Sequence, residues 1–158
     1  EQPAFSSLKT ATFYSISNCH AGLAGISFGN ALIKQVVRLL KQELPQLETF
    51  VTLSPVPGLA KWSKGRDMTP ALAADYLVQA KRPDDGPLDP VARFHLGNGA
   101  LLHAVHAGAN SSKAGQKQSG GIMVNYLYDL TQVDRNTESF AETQTVTVSK
   151  DVKAMLNK

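Results

Sequence analysis

The feature that most constrains this 158-residue sequence is a glycine-rich turn set between a β-rich run and an amphipathic helix. Thr10 to Ser17 (TATFYSIS) is dense in β-branched and aromatic residues and reads as a strand. Gly22, Gly25 and Gly29 follow within a short stretch. Ile33, Val36, Val37, Leu40 and Leu44 then recur at helical spacing, with Lys34, Arg38 and Lys41 on the other face. Pro45 ends that helix, and Thr49 to Leu53 reads as a second strand. A strand–helix–strand unit buries its apolar helix face only against a sheet, so the fold class is mixed α/β.

The remainder continues the alternation. Ser54-Pro55-Val56-Pro57-Gly58 follows the second strand, and its two prolines predict a rigid turn with no further ladder pairing. Leu72 to Lys81 predicts a helix, and Pro83-Asp84-Asp85-Gly86-Pro87 breaks it in a solvated turn. Pro90 to Leu96 predicts a short helix, with Asp89 as its N-cap and Pro90 as its first residue. Asn98-Gly99 turns the chain into a strand at Leu101 to His106. Gly108 to Gly121 reads as a polar loop with a helical turn around Ala114. Ile122 to Tyr128 is a strand with Ile122, Val124, Tyr126 and Tyr128 on one face. A polar helix at Thr131 to Ala141, a short strand at Thr145 to Val148 and a helix from Asp151 complete the reading, without internal repeats.

Composition narrows the function classes. Hydrophobic residues at 42% and charged residues at 18% suit a soluble globular domain, and no apolar run approaches the length of a membrane span. Glu1-Gln2-Pro3 has neither the basic nor the apolar region of a signal peptide and no initiator Met, so a processed or longer protein is expected. The lone Cys19 allows no internal disulfide and fits a reducing compartment, taken as cytoplasmic, with a mitochondrial or peroxisomal matrix as the other setting. Lys and Arg are scattered rather than striped with aromatics, which argues against a nucleic-acid partner. The Lys34, Arg38, Lys41 face reads as solvated surface, or as a contact for an anionic ligand.

Residue spacing alone leaves the chemistry open. The glycines at 22, 25 and 29 match neither a P-loop nor a dinucleotide fingerprint, and read either as a phosphate-approaching turn or as a tight connection. Ser54 is either a turn residue or a side chain held rigidly at a strand end, and His95 either a core histidine or a site residue. His103 and His106 face opposite sides of their strand, and no paired-His or Cys motif suggests a metal.

Longer strings resolve the ambiguity by likeness. Phe13-Tyr-Ser-Ile-Ser-Asn18, Gly22-Leu-Ala-Gly-Ile-Ser-Phe-Gly29, Leu32-Ile-Lys-Gln-Val-Val37, Thr52-Leu-Ser-Pro-Val-Pro-Gly58, Leu88-Asp-Pro-Val-Ala-Arg-Phe-His-Leu-Gly-Asn-Gly-Ala100 and Met123-Val-Asn-Tyr-Leu-Tyr-Asp-Leu130 resemble, in order, the malonyl-CoA decarboxylases. The resemblance implies the C-terminal part of a catalytic domain with the GCN5-related N-acetyltransferase fold, spanning 1–158. The family's helical oligomerisation domain and the first strands of its sheet would lie outside this sequence.

It further implies conversion of malonyl-CoA to acetyl-CoA and carbon dioxide, with no cofactor, no metal and no membrane partner. Homo-oligomers would form through the missing domain. Ser54 and His95 match the catalytic serine and histidine, and Tyr128 a tyrosine that lines the same site. Ala24, Gly25, Ile26, Ser27, Phe28, Gly29 and Asn30 match the CoA-binding loop. The sequence departs from the pattern in a short stretch between Trp62 and Ala71, at Ser27 where some relatives carry glutamate, and after His103. An acyltransferase on the same fold and a non-catalytic acyl-CoA-binding fragment are the rival readings.

Overall fold

The computed structural model describes residues 7–14 and 28–156, with the side chains of 28–31 left undescribed. A four-stranded mixed sheet in the order β1-β2-β4-β3 organises it. Strand β1 is Thr10–Tyr14, β2 Thr49–Pro55, β3 Leu101–His106 and β4 Met123–Leu127. Strand β1 runs parallel to β2, whereas β4 is antiparallel to both β2 and β3. The parallel pair is joined through helix α1, Phe28–Glu43, as parallel strands require a crossover. Its Ile33 and Val37 are buried, while Leu32 and Leu39 are exposed. Residues 15–17 of the expected first strand and residues 24–27 of the glycine turn lie outside the described residues.

The other helices are α2 Leu59–Ser63, α3 Pro70–Gln79, α4 Pro90–Gly97, α5 Lys113–Ser119, α6 Val133–Thr143 and α7 Lys150–Leu156. Helix α3 packs on α7 and β3, and α4 on α6 and β3. Tyr76 and Leu77 of α3 join Leu102, Val124 and Tyr126 of the sheet in one buried cluster.

Several expectations need correction. Strand β2 does not stop at Leu53: Ser54 pairs with Val124 and Pro55 with Met123, because proline at a strand's last position sacrifices only its missing N–H. Helix α2 was not expected; Gly58 precedes it, and Lys64, with φ 51°, caps it in the left-handed region. The polar stretch before β4 contains a full helix, α5, capped by the Ser112 hydroxyl on Gly115 N–H. Thr145 to Val148 is no strand and contributes only an isolated parallel bridge from Val148 to Leu102. The boundaries of α3, β4 and α6 shift by one or two residues from those expected.

The basic face of α1 is not simply solvated. Lys34 reaches Asp134 at 3.7 Å and Thr137 at 3.3 Å, and Arg38 reaches Asp134 at 3.5 Å. Lys41 donates to the carbonyls of Pro45 and Leu47. A register shift between Leu102 and Ala104 breaks the strict alternation assumed for His103 and His106.

Candidate active site

Helix α4 places the histidine. Asp89 accepts the N–H groups of Val91 and Ala92 at 2.9 Å each, which caps the helix, and Pro90 fits its first turn. The buried positions Ala92, His95 and Leu96 follow at three- and four-residue spacing, so His95 faces inward with them. Asn98-Gly99 then reverses the chain. Gly99 has φ +82°, and a Cβ there would strike the Val133 carbonyl.

Two strands supply the rest. Alternation on β4 turns Val124 and Tyr126 inward, with Tyr128 buried just past the strand end. On β2 the same parity turns Phe50, Thr52 and Ser54 inward, all at most 4% exposed. His95 sits where these rows meet. Its Nε2 shares a hydrogen bond with Ser54 Oγ at 3.2 Å, and its Nδ1 one with the Tyr128 hydroxyl at 2.8 Å. The ring stacks on Tyr126, with centroids 4.6 Å apart and planes 22° from parallel. Ser54, His95 and Tyr128 are thus brought together. Of the loop residues, Ala24, Gly25, Ile26 and Ser27 lie outside the described residues, while Phe28, Gly29 and Asn30 open α1.

Burial fixes the protonation state. It pushes the His95 imidazole down from 6.5 to about 4, so the ring is neutral at pH 7, with one donor and one acceptor nitrogen. Burial likewise raises the Tyr128 phenol, which stays protonated.

Three further contributors are not evident from residue spacing. Thr52 Oγ1 lies 2.8 Å from Ser54 Oγ. Tyr126 has no described hydrogen-bond partner for its buried hydroxyl and offers His95 its ring face. Asp89 was read only as a cap, yet its carboxylate also receives the Tyr76 hydroxyl at 3.3 Å. It therefore ties α3 to the helix bearing His95. Burial raises its pKa, and its backbone hydrogen bonds oppose that shift. The sequence signal for Thr52 is slight: two hydroxyl residues, two apart, share one face of a strand. Among the described residues, no group of three or more His, Cys, Asp or Glu side chains could hold a metal ion.

The family model for the malonyl-CoA decarboxylase C-terminal domain matches residues 2–71 and 63–158. The chain belongs to the malonyl-CoA decarboxylase family. Mitochondrial malonyl-CoA decarboxylase of Anser anser anser is 32% identical over 199 residues, which covers 92% of this chain and 39% of that protein. The chain thus spans well under half the length of this relative. A solved structure of malonyl-CoA decarboxylase from Agrobacterium vitis is 41% identical with a TM-score of 0.90, covering 100% of this chain and 48% of that one. The loading GNATL domain of CurA from Lyngbya majuscula shares the fold alone, at 20% identity and TM-score 0.60, over 79% of this chain and 57% of that one.

The mixed sheet flanked by helices is accordingly a GNAT-like fold. The goose alignment is longer than the 158-residue chain, so that relative carries residues with no counterpart here. The two family-model segments meet at 63–71, where the sequence looked short and where residues 64–69 alone link α2 to α3.

Proposed function

We propose that this chain carries the catalytic centre for decarboxylation of malonyl-CoA to acetyl-CoA and carbon dioxide. The observation that carries the reading is the buried Ser54–His95–Tyr128 hydrogen-bonded set within a chain of this family. A malonyl thioester needs no cofactor to lose carbon dioxide, because its own carbonyl takes up the electron pair as an enolate. The protein has to orient the carboxylate, stabilise the enolate oxygen and return a proton to carbon. Ser54 and His95 serve that proton transfer, with Tyr128 holding the imidazole in its plane. A positioned proton donor contributes about 10²–10⁴ in rate.

The substrate's CoA portion is proposed to lie against the segment from Ala24 to Asn30. The topology supports this placement: parallel β1 and β2 end at the same sheet edge, with Tyr14 paired to Leu53, the neighbour of Ser54. Ligands of α/β sheets gather at such carboxyl ends. Oligomerisation through a segment outside this sequence and a cytoplasmic setting belong to the same proposal. No helix among the described residues is long and apolar enough to cross a membrane. The test is to incubate the chain with malonyl-CoA and follow acetyl-CoA and carbon dioxide together. Stoichiometric release, lost in Ser54→Ala, is the expected result; acyl transfer without carbon dioxide, or no turnover with normal CoA binding, overturns it.

A further inference from the structure

Strands β2 and β4 do not pair regularly where the site lies. The Tyr128 N–H donates to the Phe50 carbonyl, so two residues along, a regular antiparallel ladder would send the Tyr126 N–H to the Thr52 carbonyl. Instead the Tyr126 N–H donates to Thr52 Oγ1 at 3.1 Å, and the Asn125 side-chain amide takes the Thr52 carbonyl. The threonine side chain has entered the ladder. Its oxygen is pinned by a backbone donor, and its hydroxyl is left beside Ser54 Oγ at 2.8 Å.

Counting protons along this array gives its polarity. Thr52, Ser54, neutral His95 and Tyr128 own one exchangeable proton each, and three hydrogen bonds link them in series. One proton is therefore left over, and its position defines the direction of every bond. Left on Thr52, it would be shut inside the sheet, at a residue 0% exposed with no other described acceptor. Left on Tyr128, it would stand beyond the end of β4, opposite Phe50 and away from the edge where β1 and β2 terminate. Left on Ser54, it stands at the carboxyl end of β2, on the edge where parallel β1 and β2 both terminate.

We propose that Thr52 is a positioning residue whose hydroxyl donates to Ser54 Oγ, so that Ser54, also receiving the His95 Nε2–H, holds the proton delivered to substrate. Tyr128 then donates to His95 Nδ1. In the reaction the bond from C2 to the carboxylate breaks, carbon dioxide leaves, and the electron pair stays on C2 as the thioester enolate. The Ser54 proton moves to C2. The resulting alkoxide is held by the two donors from Thr52 and His95 until water reprotonates it.

The catalytic half of this inference rests on the proposed decarboxylation, whereas the polarity does not. Nitrogen-15 NMR of the histidine-labelled full chain near pH 7 reads the His95 tautomer directly, with His95→Asn assigning the signal. The Nε2–H form is expected, by about tenfold or more. A dominant Nδ1–H form overturns the polarity whatever the activity. Thr52→Val should lower kcat for malonyl-CoA by about tenfold or more with KM little changed, and Thr52→Ser should restore it. If Thr52→Val folds poorly, the wild-type tautomer and the Ser variant still decide. A fully active, folded Thr52→Val removes Thr52 from the array. The expected tautomer without any turnover would instead refute the decarboxylase reading and leave the polarity standing.

Discussion

Strand β2 has two neighbours, and they treat it differently. Against β1 its ladder is unbroken, from Thr10 opposite Thr49 to Tyr14 opposite Leu53. Against β4 the register is kept at Val51 opposite Leu127 and from Ser54 opposite Val124 onward, while side chains of Thr52 and Asn125 replace backbone partners between them. The regular side is a scaffold: β1 alternates between half-buried and exposed residues and holds nothing that titrates inside. The irregular side holds the buried hydroxyls and the imidazole. A backbone ladder uses its polar groups on itself; where side chains enter it, donors and acceptors are turned toward one another and become available for chemistry.

The sharpest way to break the comparison is to strike the irregular side at its centre. Ser54→Ala and His95→Asn should each lower kcat by about 10²–10⁴, some 3–5 kcal/mol in barrier, with CoA binding little changed. The double variant should lose little more than either alone, since one unit fails once. Additive losses in a double-mutant cycle, with melting curves for each variant, would dissolve the pair.

Acid titration gives the next effect. The folded His95 takes its proton only near pH 4 while an unfolded chain takes it near 6.5. The unfolded state therefore binds more protons between those values, and folding stability falls as pH is lowered through that window. This histidine's share is fully present above pH 6.5 and costs about 3 kcal/mol by pH 4. Denaturation of wild type and His95→Asn across this range should show the difference between them shrinking as pH falls. A constant difference would mean His95 is not held neutral by burial.

Asp89→Ala should cost about 2 kcal/mol of stability in urea denaturation. It removes the α4 cap and orphans the Tyr76 hydroxyl. Asp89→Asn, which keeps an acceptor for the cap, should recover part of it. The smallest effect belongs to the scaffold side: Thr12→Ser, on the exposed face of β1, should change stability by less than about 0.5 kcal/mol and leave kcat unaltered. A large loss of kcat there would erase the distinction between the two sides.

Much of the fold was legible because local signals agreed with the tertiary result. Strand β3 falls on Leu101–His106 as expected, and α4 starts after Asp89 because a cap and a first-turn proline mark a helix whatever surrounds it. Helix α2 spans only Leu59–Ser63, too short for any period to show. Helix α5 is polar on almost every face, and its Gly115 suits a close approach to Asn110 that only packing reveals. Thr145 to Val148 has strand-like composition but finds a partner at a single bridge, since strand propensity becomes a strand only beside a free ladder.

By itself the sequence determined the inward parity of β4, the capped helix that turns His95 inward, and, through its long family-like strings, which residues to watch. Tertiary structure alone decided that Ser54 and His95, 41 positions apart, meet at 3.2 Å, and that Tyr128 closes the far side of the ring. It also decided that Thr52 leaves its place among ordinary strand residues to enter the ladder. The reason is that parity and capping are set by covalent geometry within a few residues. Hydrogen-bond partners and the depressed pKa of His95 depend instead on which distant groups are packed together and on the water excluded between them.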